Sequence, residues 1–310
     1  MNGELSVVVS NLRKTYGEVR AVDGLSLRVE AGSIFGMLGP NGAGKSTTIE
    51  ILVGIRPRDE GEVSILGLDP ARRPRELKTR IGVQLQTPAL YPRLTVREVV
   101  ELFGSFFPRP LPAADVIARV GLTEKANTQT KALSGGQLHR LAIAVAMVGD
   151  GEVIFLDEPT TGLDPQARRN LWDVVRDLRK TGKTVFLTTH YMDEAEKLCD
   201  RVAVVDYGRI IAEGSPKELI DEHFTDRAVQ FVEPALASGD ATAGLEALPG
   251  VRRVRREDDT VTLYTSEAPA AIARLMEYAA ERGVTIDDIV VRQATLEDVF
   301  LKLTGRKIRE

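Results

Sequence analysis

The sequence predicts an α/β protein: a core built on a mainly parallel sheet, a helical insertion within it, and a small α+β domain of ferredoxin-like order at the end. Three observations carry this. Short apolar runs alternate with helical stretches before residue 88 and after residue 150, the pattern of a parallel sheet with crossover helices. Between 88 and 150 the strand pattern stops. Beyond residue 225 the order becomes β-α-β-β-α-β.

The elements follow from local signals. Residues 5–9, 25–29 and 34–38 are apolar runs bounded by Tyr16-Gly17 and Ala31-Gly32, so strands are expected there. Residues 47–53 turn helical, and 81–85 is a strand. Helices are expected at 96–103, 113–120 and 136–148, with the proline-rich stretch 108–112 between the first two. Strands return at 153–156, 184–188 and 202–205, with a helix at 166–179. The second domain reads as strand 228–232, helix 241–248, strands 251–256 and 261–265, helix 269–282 and strand 286–291. Gly283 is placed to end its long helix. The expected domains are therefore 1–224 and 225–310.

Composition narrows the function classes. With 43% hydrophobic and 28% charged residues among 310, the chain is rich enough in apolar side chains to fold. The longest run free of Asp, Glu, Lys and Arg is 31–44, which is short and glycine-rich, whereas a spanning helix needs about 20 apolar residues. Met1-Asn2-Gly3-Glu4 does not start a secretory signal. A single cysteine, Cys199, excludes an intrachain disulfide. The expectation is a cytosolic chain unless a partner holds it elsewhere. Residues 225–310 hold 12 basic and 15 acidic side chains, and residues 1–224 hold 29 and 30. Neither has the basic excess that nucleic-acid binding leaves. Arg252, Arg253, Arg255 and Arg256 run into Glu257, Asp258 and Asp259, the pattern of a solvated hairpin.

The chemistry is concentrated in a few motifs. Gly39-Pro40-Asn41-Gly42-Ala43-Gly44-Lys45-Ser46-Thr47 fits G-x-x-x-x-G-K-[ST] between a strand and a helix. Glycines let backbone N–H groups turn around phosphate oxygens, and the helix start adds partial positive charge. Lys45 can reach the β- and γ-phosphates and Ser46 can coordinate Mg²⁺. The apolar strand 153–156 ends in Asp157-Glu158. Adjacent strand residues point to opposite faces, so the two carboxylates can divide the tasks of holding Mg²⁺ and activating water. Ser134, before Gly135-Gly136-Gln137, caps a second anion-ready helix start, which can serve a nucleotide on another subunit. His190 stands at the end of the strand 184–188, where open α/β sheets bind ligands. His139 and His223 look like isolated surface positions.

Together these residues resemble the ATP-binding subunits of ATP-binding-cassette transporters over about residues 5–220. The resemblance implies that Tyr16 stacks on adenine and that Gly39 to Thr47 is the Walker A loop. Gln86 is then the Q-loop glutamine sensing Mg²⁺ and water, with Gln84 as competitor. It also implies that Leu133-Ser134-Gly135-Gly136-Gln137 is the signature, Asp157 the Walker B aspartate, Glu158 the catalytic carboxylate and His190 the switch histidine. Asp164, in Thr161-Gly162-Leu163-Asp164, belongs to the D-loop. Leu138 departs from the basic residue common in the family. The ligands implied are ATP and Mg²⁺. The partners implied are a second ATP-binding subunit, in a head-to-tail homodimer, and a separate transmembrane permease at the cytoplasmic face of the membrane.

The tail, residues 294–306, is similar to the ending of daunorubicin-resistance-type drug-export ATPases. Thr295 and Asp298 form a capping box, and Leu296, Val299, Phe300 and Leu303 form one apolar face, expected to pack on its own domain. Export of a drug or other hydrophobic compound is the expectation, with an importer or a non-transport cassette ATPase as alternatives.

Overall fold

The computed structural model describes residues 4–86, 90–224, 227–233, 239–257, 259–286 and 288–305. Thr87 and Pro88 of the glutamine loop, Asp258 after the arginine strand and Arg306 of the tail lie outside them. The chain divides into two compact units, Met1–Pro216 and Lys217–Lys307.

In the first unit, β1 (Leu5–Tyr16) and β2 (Val19–Glu30) form a long hairpin, well beyond the short apolar runs expected there. Polar residues extend it because this small sheet buries one face only; Val7, Val9, Leu12, Leu25, Leu27 and Val29 point inward. Next come β3 (Ile34–Leu38), α1 (Lys45–Leu52), β4 (Glu60–Ile65), α2 (Pro74–Lys78) and β5 (Ile81–Gln84). The insertion contributes α3 (Val96–Gly104), α4 (Ala113–Arg119) and α5 (Gly135–Met147). The chain continues through β6 (Val153–Asp157), α6 (Pro165–Lys180), β7 (Thr184–Thr189), α7 (Met192–Leu198), β8 (Arg201–Asp206) and β9 (Arg209–Gly214).

The main sheet has the order β5-β6-β7-β3-β8-β9, parallel except for β9. A second sheet, β2-β1-β4, is antiparallel. The core lies between them, filled by Phe35, Phe155 and Phe186 from the main sheet and by the inward valines and leucines of the hairpin. The C-terminal ends of β6, β7 and β3 are therefore neighbours. Strand β4 was missed at sequence level because Glu60, Glu62 and Ser64 alternate with few apolar residues; only Val63 and Ile65 are buried.

The division into units falls at the start of α8 (Pro216–His223), which the sequence reading assigned to the first domain. The second unit continues with β10 (Arg227–Val232), α9 (Gly239–Glu246), β11 (Val251–Glu257), β12 (Thr260–Thr265), α10 (Ala268–Glu281), β13 (Ile289–Arg292) and α11 (Leu296–Thr304). Its antiparallel sheet has the order β11-β12-β10-β13, the ferredoxin-like arrangement. Val229, Phe231, Val261 and Leu263 meet Leu245, Leu275 and Tyr278 of the helices in its core. Strand β13 starts three residues later than expected, at Ile289. The capping box of Thr295 and Asp298 is present on α11. Leu296, Val299 and Phe300 are buried there, while Leu303 is exposed.

Candidate nucleotide site

Three neighbouring strand ends build the site. Strand β3 runs into the glycine loop, where Gly44 has φ +97° and a Cβ on it would lie 2.2 Å from the Ala21 carbonyl oxygen. Only glycine fits that position. Gly39 is equally constrained, by the Val205 carbonyl oxygen 2.3 Å from a built Cβ. The loop delivers Lys45, the first residue of α1, into a buried position. Its Nζ donates to Gly39 O at 2.8 Å and Pro40 O at 3.0 Å, and sits 3.0 Å from Glu158 Oε1. The next residue, Ser46, donates through Oγ to Asp157 Oδ1 at 3.2 Å.

Strand β6 ends at Asp157, and the chain then turns sharply: Glu158 has φ +47°. Such a conformation costs about 1–3 kcal/mol for a non-glycine residue and is concentrated at functional positions. It also corrects the alternation argument. The two carboxylates do not point to opposite faces of a strand, because Glu158 has left the strand and turns back into the same pocket as Asp157. Burial raises the Asp157 pKa, with hydrogen bonds from Thr188 and Ser46 opposing the shift. For Glu158 burial also favours the neutral form, but His190 and Lys45 outweigh it and hold the pKa at about 2.

Glu158 is the hub. Gln86 Nε2 donates to its Oε2 at 3.3 Å and Thr161 Oγ1 at 3.1 Å. His190 Nδ1, at the end of β7, lies 3.2 Å from the same oxygen but is not aligned for a hydrogen bond. Gln84 is buried and donates to the Leu85 and Asp157 carbonyl oxygens, away from the carboxylates. Tyr16 is half exposed at the end of β1, with Lys14 Nζ 5.5 Å and the Arg56 guanidinium 5.7 Å from its ring.

The second helix start is differently made. Ser134 and Gln137 form a complete capping box at the N-terminus of α5. Ser134 and Gly135 are exposed and Gly136 and Gln137 partly so. Among the described residues, no hydrogen bond or ion pair joins Ser134–Gln137 to the glycine loop. Asp164 caps α6, accepting from the backbone N–H groups of Gln166 and Ala167.

Sequence reasoning missed two contributors. Thr188 Oγ1 donates to Asp157 Oδ1 at 2.6 Å and accepts from Glu158 N at 3.0 Å, so it orients the Asp157 carboxylate and fixes the main chain at Glu158. A hydroxyl at the C-terminal end of a core strand was the available signal. His139, whose sequence context reads as an isolated surface position, has Nδ1 2.8 Å from the Pro159 carbonyl oxygen, which ties α5 to the segment after Glu158.

Open backbone amides, a lysine and two carboxylates around one hydroxyl suit a nucleotide with a divalent cation. A magnesium ion takes only one or two protein oxygens beside phosphates and water, and the Ser46–Asp157 contact offers that pair.

Comparison with known proteins agrees with the geometry. Residues 22–161 match the family model described as ABC transporter, and residues 240–305 match the C-terminal domain of the nodulation factor export protein NodI. The Nod factor export ATP-binding protein I of Ralstonia nicotianae is 41% identical over 97% of this chain and 94% of its own. That of Paraburkholderia xenovorans is 41% identical over 99% of both chains. Among solved structures, the ATP-binding cassette MJ0796, dimeric and bound to ADP and Pi in a post-hydrolysis state, shares 30% identity. It superposes with a TM-score of 0.62 over 67% of this chain and 98% of its own. The cbiO1 subunit of the cbiONQ transporter complex of Clostridium perfringens gives 30% and 0.64 over 71% of this chain and 92% of its own.

Proposed function

The chain belongs to the ATP-binding subunits of ATP-binding-cassette transporters and is an ATPase, and from that premise we propose that two copies close head to tail on ATP to drive export through a separate permease. The observation that supports the head-to-tail reading is the contrast between a glycine loop whose lysine is buried against Glu158 and a signature helix start that faces outward, unconnected to it.

In this reading Lys45 exchanges Glu158 for phosphate oxygens, with backbone amides of Gly42 to Thr47 completing the cradle. Tyr16 stacks on the base. Ser46 and Asp157, with Gln86 beside them, hold Mg²⁺, which supplies charge neutralisation on the phosphates. Losing Lys45 frees Glu158 from the pairing that depresses its pKa, and it becomes a stronger base for the attacking water. Gln86 and Thr161 orient its Oε2. His190 turns its ring toward the γ-phosphate. Ser134 and the amides of Gly135 and Gly136, with Gln137 fixing the cap, receive the phosphate held by the opposite copy. Asp164 keeps the loop between the two sites in place.

Among the described residues no helix is long and apolar enough to cross a membrane. The translocation path is proposed to lie on a permease, with this subunit docked at the cytoplasmic face through the helical insertion. The tail falls within the residues that match the NodI C-terminal domain rather than marking a drug-export subfamily, and the relatives' names support export. The relatives' names, which extend over nearly the whole chain, favour a Nod-factor-type cargo over a drug. Reconstitution with a candidate transmembrane permease from the same organism tests the reading. ATP-driven accumulation of labelled Nod factor in inverted vesicles is expected, and ATP-driven movement of a drug alone would shift the cargo to the drug class.

A further inference from the structure

The ferredoxin-like sheet of the second unit has two unlike faces. One packs on α9 and α10. On the other, strand register sets out two rows across the sheet: Arg292, Ala228, Tyr264, Arg253, and beside it Val290, Gln230, Thr262, Arg255. A polar second face is ordinary for an antiparallel sheet. This face is not flat, however. Together with Phe224, Leu301 and Lys302 it lines a half-open cavity of about 910 Å³, within the size range of small-molecule sites. Two of the four arginines of the hairpin run, Arg253 and Arg255, line this concave face while remaining exposed.

We propose that this cavity binds a phosphate-bearing ligand, held by Arg253 and Arg292 from opposite sides with Lys302 at the rim. Charge comes first. Arg253, Arg255, Arg292 and Lys302 line it against Glu297 and Asp298, a local net of +2 in a chain whose formal net charge is −4. The Asp298 carboxylate is moreover engaged in the α11 cap, accepting from Thr295 N at 2.9 Å and Thr295 Oγ1 at 3.0 Å.

Placement comes second. Arg292 and Arg253 stand on the two outer strands of the same row, three strand spacings or about 14 Å apart at Cα. Ala228 lies between Arg292 and Tyr264 and offers only a methyl group, which leaves room between the two guanidinium groups. The Arg253 guanidinium stacks on Tyr264, 4.2 Å from the ring centroid, which fixes its plane while leaving edge N–H donors for an oxyanion. Lys302 donates to the His223 carbonyl oxygen at 2.6 Å and lies 5.0 Å from the Phe224 ring centroid, so it is anchored at the rim with two further N–H donors. Planar forks at the two edges of one sheet face match the oxygens of a phosphate or diphosphate group. Such a group could belong to a soluble metabolite or to a phospholipid headgroup.

The full-length chain, with its nucleotide site saturated by Mg-ADP, separates this cavity from the glycine loop. Calorimetric titration with inorganic pyrophosphate should then show one further binding event. In the R253Q/R292Q double variant it should weaken at least tenfold, with ADP affinity unchanged as the check on folding. Gln230→Glu, which adds a carboxylate to the floor, should weaken it as well. A second arm uses vesicles of phosphatidylglycerol and phosphatidylcholine against phosphatidylcholine alone. Sedimentation with the anionic vesicles only, lost in R253Q/R292Q, supports the site and identifies a headgroup; pyrophosphate binding without vesicle binding supports it and identifies a soluble ligand. Binding of neither probe, or equal binding by wild type and all variants, overturns the proposal.

Discussion

Two helix starts in the first unit are both suited to anions, and they are finished in opposite ways. At α1 the N-cap is Gly44, with no side-chain cap and no acidic residue in the first turn. The donors are left open, and Lys45 fills the space beside them by pairing with Glu158. At α5 the Ser134–Gln137 box satisfies the N–H groups of Ser134 and Gln137 from within. Gly135 and Gly136 occupy the first two helical positions, whose N–H groups have no partner inside a helix. One start keeps its lysine buried in an internal ion pair beside open donors; the other is exposed and offers a small remainder of donors to something arriving from outside. A nucleotide site assembled from both needs two chains.

The largest test removes the centre of the first site. Glu158→Gln should slow phosphate release by about 10²–10⁴-fold while ATP binding persists; undiminished turnover would take the base role from Glu158. The same variant tests the closed pairing without nucleotide. The Glu158 pKa is lowered from its ordinary value of 4.5 to about 2, so its stabilisation is present above about pH 4.5 and lost as pH falls through about 2. Melting temperatures of wild type and E158Q should therefore differ at pH 7 and converge in strong acid. A gap that persists there would mean the contribution is not electrostatic.

The second start is tested by Ser134→Arg. Light scattering should show ATP-dependent dimerisation abolished, with ATP binding to the monomer intact. If monomer binding falls too, α5 serves its own chain's nucleotide and the two starts are not complementary.

A smaller effect is expected beneath the first site. Glu194 on α7 is fully buried, accepts from Trp172 Nε1 at 2.9 Å, and has its pKa raised by that burial, with Thr189, Trp172 and Thr160 opposing. A raised carboxyl contributes stability below its unfolded pKa and loses it as pH rises through the folded value. Glu194→Gln should match wild type near pH 4 and melt at higher temperature than wild type as pH rises. A difference independent of pH would show that the ionisation of Glu194 is not involved.

Legibility in the sequence divides along similar lines. Features with a local cause were readable: the glycine loop before α1, the Ser134 and Thr295 caps, the strand ending in Asp157, and the β-α-β-β-α-β order after residue 225. Features set by tertiary contact were not. The positive φ of Glu158 has no local signature, so strand alternation misassigned its direction. Thr188 and His139 gain their roles from partners 31 and 20 residues away. The arginines of β11 are exposed, as their pattern implies; that two of them line a concave face was not legible, because Phe224, Leu301 and Lys302 come from distant segments.

The smallest expected effect is the sharpest on how α5 is finished. Gln137→Ala removes one half of the capping box, the bond from Ser134 N to Gln137 Oε1, and leaves the Ser134 hydroxyl in place. One exposed hydrogen bond is worth about 0.5–1.5 kcal/mol net, and the loss should fall at the lower end because Leu141, Ile143 and Ala144 bury the other face of the helix. Urea unfolding of the first unit should shift by that amount. ATP affinity of the monomer should not move, since the cap faces away from its own glycine loop. If Q137A instead left stability unchanged and weakened ATP-dependent dimerisation as strongly as Ser134→Arg, Gln137 would be a contact to the opposite nucleotide rather than a brace for the helix that presents one.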